Sequence, residues 1–171
     1  MARQIALDKK KAVLIIVLIA AAIAAAVILL ESEEDKIRKR FRELADLVEK
    51  QPDETKLVMA RKARKIGALA TRPLTVSVPE YKAAGTYMPQ EIAQRMVMGR
   101  TRFIQLSLEF FDLSVDVLDD LNADAVLTAR VEGLRLNNEP FEDTHEISCR
   151  LKKIDNQWLF NRVEVVDVLE K

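Results

Sequence analysis

Cysteine, histidine, tryptophan and glycine are all scarce in this chain, at one, one, one and four among 171 residues. A lone Cys149 excludes an intramolecular disulfide, and with a lone His145 it leaves no Cys/His ligand set for zinc, so no metal site and no cofactor is expected. Four glycines without a Gly-rich loop argue against a nucleotide-phosphate cradle. An excess of either charge is also missing, with 27 basic against 27 acidic residues. From Glu31 onward the balance is 23 to 26, whereas a nucleic-acid partner would call for a basic surplus. No Ser-His-Asp order and no other catalytic signature stands out, so no catalytic residue is assigned.

What the chain does have is an uninterrupted apolar run over residues 12–30, built only from Ala, Val, Ile and Leu. At about 1.5 Å per residue it is roughly 28 Å long as a helix, which matches a hydrocarbon core of about 30 Å. Its Val, Ile and Leu side chains favour insertion by roughly 4 to 7 kcal/mol in total. The expected layout is a basic tail over residues 1–11, a single transmembrane helix over 12–30 and one body over 31–171. Lys9, Lys10 and Lys11 on one side, against Glu31, Glu33, Glu34 and Asp35 on the other, favour a cytoplasmic amino terminus and an exported body. A cleaved signal peptide ending at Ala24-Ala25-Ala26 is the competing reading, and Val27 to Leu30 count against it by continuing the apolar run. Alanines four apart, such as Ala20 and Ala24, would let two spans approach closely.

The body reads as α+β. Ile37, Phe41, Leu44, Ala45 and Val48 fall on one face of a helix from Glu33 to Lys50. Pro52, Asp53 and Glu54 open a second helix that reaches Ile66 or Leu69. Its basic residues Arg61, Lys62, Arg64 and Lys65 read as a solvated face rather than a lipid-headgroup patch. Leu74 to Val78 reads as a short strand, and a third helix starts at Pro89. The period then changes to two over Ile104–Phe110 and, after Asp112, again over Leu113–Leu118, which gives one long strand with a bend or a pair of strands; it continues over Ala123–Leu136, Phe141–Ile154 and Gln157–Val168, with turns at Asp119–Asn122, Asn137–Pro140 and Asp155–Asn156.

This order of elements, with the strand sequences Asp112–Val117 and Asp124–Thr128 and the closing hairpin from Cys149 to Val163, resembles the nuclear transport factor 2-like superfamily over about residues 33–169. The resemblance implies a cone of about three helices packed on a strongly curved antiparallel sheet. The hairpin departs from the usual pattern in carrying Asn156 in place of Gly. In layout the chain is similar to the membrane-anchored assembly subunit of bacterial type IV secretion systems. Function is not inherited from a fold that hosts many chemistries.

Candidate residues follow from strand alternation. His145 shares a side with Ile147, Cys149 and Leu151, so it is a candidate for the cone cavity, as are Cys149 and Asp112. The simpler reading makes His145 a strand residue bonded to a neighbour and Cys149 a small buried apolar side chain. Asp116 and Asp124 could likewise bring a carboxylate to the cavity mouth. In the last strand Trp158, Phe160 and Val166 are expected on one face with Arg162 and Glu164, leaving an uncovered apolar patch that would join two copies into a homodimer. The leading functional expectation is a single-pass, non-enzymatic scaffold of a bacterial-type envelope, with the lipid bilayer, a second copy and an envelope protein as partners. The alternative is an anchored small-molecule or lipid binder, or a cone-cavity enzyme acting on an apolar compound.

Overall fold

The computed structural model describes residues 18–19, 31–78 and 83–166. The tail and nearly all of the expected span lie outside these residues; of the apolar run, Leu18 and Ile19 are described, and both are helical. Among the described residues no helix is long and apolar enough to cross a membrane. The chain divides at Ser32 into two units, and the second, Glu33–Lys171, is the body.

Among the described residues, three helices and six strands build that body: α1 (Glu33–Val48), α2 (Lys56–Ala68), β1 (Ala70–Val78), β2 (Ala83–Tyr87), α3 (Pro89–Arg100), β3 (Phe103–Val117), β4 (Asn122–Arg135), β5 (Pro140–Ile154) and β6 (Gln157–Val166). One sheet runs β2-β1-β6-β5-β4-β3. Long antiparallel ladders join β3 to β6 in sequence order, while β1 pairs with β6 in parallel. The expected wholly antiparallel sheet is therefore corrected to a mixed one: α2 returns the chain to lay β1 beside β6 in the same direction. Strand β2 was not anticipated, because Ala83 to Tyr87 carries almost no apolar alternation for a period to register.

α1 lies in the concave side of the sheet. Its stripe buries Ile37, Phe41, Leu47 and Val48, and three acids in its first turn sit where the helix dipole is positive. Phe41 is the centre of the packing: its ring meets Phe110 edge-on at 5.5 Å and Phe160 at 5.1 Å between centroids. Each such pair contributes about 0.5 to 1.5 kcal/mol beyond area burial. The second helix starts later than expected, since Pro52 and Asp53 form a turn and Thr55 is the cap, its hydroxyl accepting from the Val58 N–H at 3.3 Å. α2 and α3 touch where Gly67 meets Pro89. A Cβ on Gly67 would come within 2.3 Å of the Pro89 carbonyl oxygen, so only glycine permits this approach.

Two irregularities decide which side chains face the core. Between Phe111 and Ser114 the β3 ladder shifts, with Asp112 at φ 53°. Between Arg150 and Leu151 the β5–β6 register shifts, so that Phe160 opposes Leu151 while Arg162 opposes Arg150. The closing hairpin turns on Asp155 and Asn156 at φ 49° and 60°, a pair of left-handed residues that Asp and Asn tolerate without glycine.

Candidate functional site

Three regions bear on function: the cone interior, a buried ionic clamp, and the outer face of the sheet. The interior is occupied by side chains. Leu106, Leu127, Cys149, Leu151, Trp158 and Phe160 are all buried with Phe41, and Leu108, Phe110, Val115 and Ile147 pack against them. His145 sits at the edge of this face, half-buried, with Nε2 2.8 Å from the Asp143 carboxylate. Cys149 is buried, and desolvation pushes its thiol up to about 12, far from a usable thiolate at neutral pH. Asp112 is not with them. It sits exposed on the β3 bulge, so its placement as a cavity residue is corrected: the extra bulge residue turns its side chain away from the concave face.

The clamp was not visible in the sequence. Arg100, 1% exposed at the end of α3, donates from Nη1 to the Leu47 carbonyl at 2.5 Å and from Nη2 to the Glu49 carbonyl at 2.9 Å. The same Nη2 lies 2.5 Å from the Glu54 carboxylate, whose other oxygen is 3.0 Å from Lys62 Nζ. Lys50 Nζ donates to the Arg100 carbonyl at 3.0 Å and also to that of Phe103. Carbonyls at the end of α1, which lack intrahelical partners, are thus satisfied by cations. This arrangement locks α1, α2 and α3 together.

The outer sheet face carries the most ordered pattern. Trp158 and Phe160, expected here, are 2% and 5% exposed and belong to the core. The register shift near Asn161 puts Phe160 and Val163 on the same inner side, leaving Arg162, Glu164 and Val166 facing out. Cross-strand pairing then aligns one row over four strands: Asp116 opposite Asp124, Asp124 opposite Arg150, and Arg150 opposite Arg162. The two central members bond, Arg150 Nε to Asp124 at 2.9 Å. Among the described residues Asp116 and Arg162, at the two ends, have no ion pair. Like charges directly opposite each other destabilise a sheet pair, and this row contains two such pairs. Two pleat periods further along lies a parallel row, Phe111, Thr128, Glu146 and Val166. Its two apolar ends are each 40% exposed, and Val126 between the rows is 53% exposed.

No protein-family model and no curated protein matches the sequence. Solved structures do match. A protein described as a calcium/calmodulin-dependent protein kinase II association domain from Xanthomonas campestris aligns over 82% of this chain and 91% of its own, at TM-score 0.64 and 13% identity. A protein described as a scytalone dehydratase from Novosphingobium aromaticivorans aligns over 80% of this chain and 85% of its own, at TM-score 0.62 and 16% identity. An NTF2-like protein with a cystatin-like fold, also from Novosphingobium aromaticivorans, covers 87% of this chain and 90% of its own, at TM-score 0.64 and 15% identity. These neighbours span dehydratase and association functions, so they speak to architecture alone. The α+β body of this chain, three helices against a curved six-stranded sheet, therefore has the nuclear transport factor 2-like fold.

Proposed function

We propose that this chain is a single-pass, membrane-anchored association module: residues 12–30 hold it in the bilayer with residues 1–11 cytoplasmic, and the exported body pairs with a second copy through its outer sheet face and serves envelope assembly. The anchor rests on the apolar run of residues 12–30, and the observation that carries the pairing is the charge row. Its acids lie on β3 and β4 and its arginines on β5 and β6, so it has a sense of direction. If two such faces stack about a two-fold axis that runs along the strands between β4 and β5, the row of one copy is reversed over the other. Asp116 then faces Arg162 of the second copy and Asp124 faces Arg150, and the reciprocal contacts form at the same time, as an isologous interface requires. The neighbouring row follows the same operation, which sets Phe111 over Val166. A two-fold axis along the row itself would set acid on acid and arginine on arginine, which costs energy. The filled interior, with Phe41 packed against both Phe110 and Phe160, supports association over chemistry inside the cone.

The test is the mass of the full chain in mild detergent by light scattering, with the detergent contribution subtracted. Twice the chain mass of 19.4 kDa is expected. Asp116→Arg should give the single-chain mass, and adding Arg162→Asp to it should restore the dimer. A wild-type monomer, or a dimer indifferent to Asp116→Arg, would overturn sheet pairing.

A further inference from the structure

The sheet face is not the only surface left open. α2 and α3 diverge from their contact at Gly67 and Pro89 and leave a groove of about 890 Å³ between them. Its apolar lining comes from Ala60, Ala63, Ala68, Ala93, Val97 and Met98. Arg64 and Arg72 line it too, with Gln90 and Gln94, and among the described residues no carboxylate contributes. Among the described residues neither arginine has a hydrogen bond or an ion pair. Arg61 and Lys65, both exposed, add positive charge along α2. Met98 at the groove and Leu57 on α2 are 62% and 70% exposed, more than a solvated helix pair needs.

We infer that this groove is the docking site for an acidic amphipathic helix of a partner protein. The inference rests on the association reading and gives the chemistry of the envelope partner. The geometry favours a helix. The α3 side runs from Pro89 to Met98, about 14 Å at 1.5 Å per residue, or between two and three turns. Alanines on both walls allow a third helix to approach closely enough for ridge-into-groove packing at about 8 to 10 Å between axes. Charge fixes the sign. An apolar ridge at i, i+3, i+4 and i+7 would enter the groove, and flanking Asp or Glu residues would meet Arg64 and Arg72, whose planar forks suit carboxylates.

The proposal is tested with a display library of scaffolded helices, their exposed faces fully randomised, selected against the full chain in mild detergent. Enrichment of helices with that apolar spacing and flanking acids is expected. Selected helices should bind at least tenfold more weakly to Ala93→Leu, which fills the groove, with Trp158 fluorescence reporting that the variant is folded. The surface double variant Arg64→Glu/Arg72→Glu, which leaves the packing untouched, should lose them and select basic helices in their place. The same selection on Asp116→Arg should give the same helices, so a failure of self-pairing is read separately from a failure of the groove. No enrichment, enrichment without acids, or equal binding to both groove variants would overturn the inference. So would binding of anionic phosphatidylglycerol vesicles that depends on Arg64 and Arg72, since that outcome makes the occupant a lipid surface.

Discussion

Replacing Arg100 by Met removes a charge from the centre of the clamp while keeping the length of an apolar stem. The guanidinium is almost wholly buried, as is the Glu54 side chain at 4% exposure. Loss of one partner from a buried pair costs about 3 to 5 kcal/mol, because the remaining charge stays desolvated. Here two details place the effect at the lower end. Lys62 continues to hold Glu54 at 3.0 Å and the Glu49 carbonyl at 2.7 Å, so only the Leu47 carbonyl loses its one cationic donor. The expected cost is about 3 kcal/mol, which for a body of this size lowers the melting temperature by roughly 10 °C. Thermal unfolding of the full chain can be followed through Trp158, the single tryptophan and 2% exposed. The double variant Arg100→Met/Glu54→Leu should recover part of the loss, because it removes both buried charges and frees Lys62 to reach solvent. A single variant that melts within about 3 °C of wild type, equivalent to about 1 kcal/mol, would refute the view that this network holds the helices together.

Acid should weaken the junction between α1 and the β5–β6 hairpin. Lys153 above all, then Lys36 and the Trp158 indole N–H, hold the Glu33 carboxyl down from its ordinary 4.5 to about 2. A depressed folded-state pKa gives stability that is present above pH 4.5 and lost as pH falls toward 2; because the side chain is 34% exposed, solvent screening reduces this to about 1 kcal/mol. Glu33→Gln should therefore be less stable than wild type at pH 7, and a stability difference that does not shrink between pH 4.5 and 2 would contradict the assignment. Gly67→Ala drives a Cβ into the Pro89 carbonyl and should cost about 1 to 3 kcal/mol by forcing α2 from α3; an unchanged melting curve would show that the contact is slack. Cys149 should resist maleimide at neutral pH until the body unfolds, and rapid labelling of the native chain would contradict its burial.

The sequence disclosed the elements through their periods and failed where a single residue changes the count. Ile37, Phe41 and Val48 on α1, and the alternation through β3 to β6, marked an α+β cone. Strict alternation, however, put Phe160 with Arg162 and Val166, and the shift between Arg150 and Leu151 separates them. Asp112 escaped only in part: the alternation changes phase between Phe110 and Leu113, which marks a bend and matches the shift in the ladder, but it does not show that Asp112 is the residue turned out. Arg100 follows a Met-Val-Met-Gly stretch and looks like any exposed helix end; its burial depends on Leu47, Glu49 and Glu54, which are distant in the chain. The charge row depends on the register of three ladders at once, so Asp116 and Arg162 could not be connected before the sheet was known. The groove basic residues were visible as a run on α2, but the run does not show that Arg72 on β1 and Ala93 on α3 share their surface.

The pairing geometry has one direct measurement, made possible by the buried Cys149. Two differently tagged full chains, one Asp116→Cys and one Arg162→Cys, are mixed and treated with a short bismaleimide. In the proposed dimer these positions face each other across sheets about 10 Å apart. Two copies of position 116 are displaced sideways by three strand spacings, about 14 Å. The account predicts a cross-linked heterodimer from the mixture and little product from either chain alone; cross-linking of Asp116→Cys to itself, or none in the mixture, would contradict it.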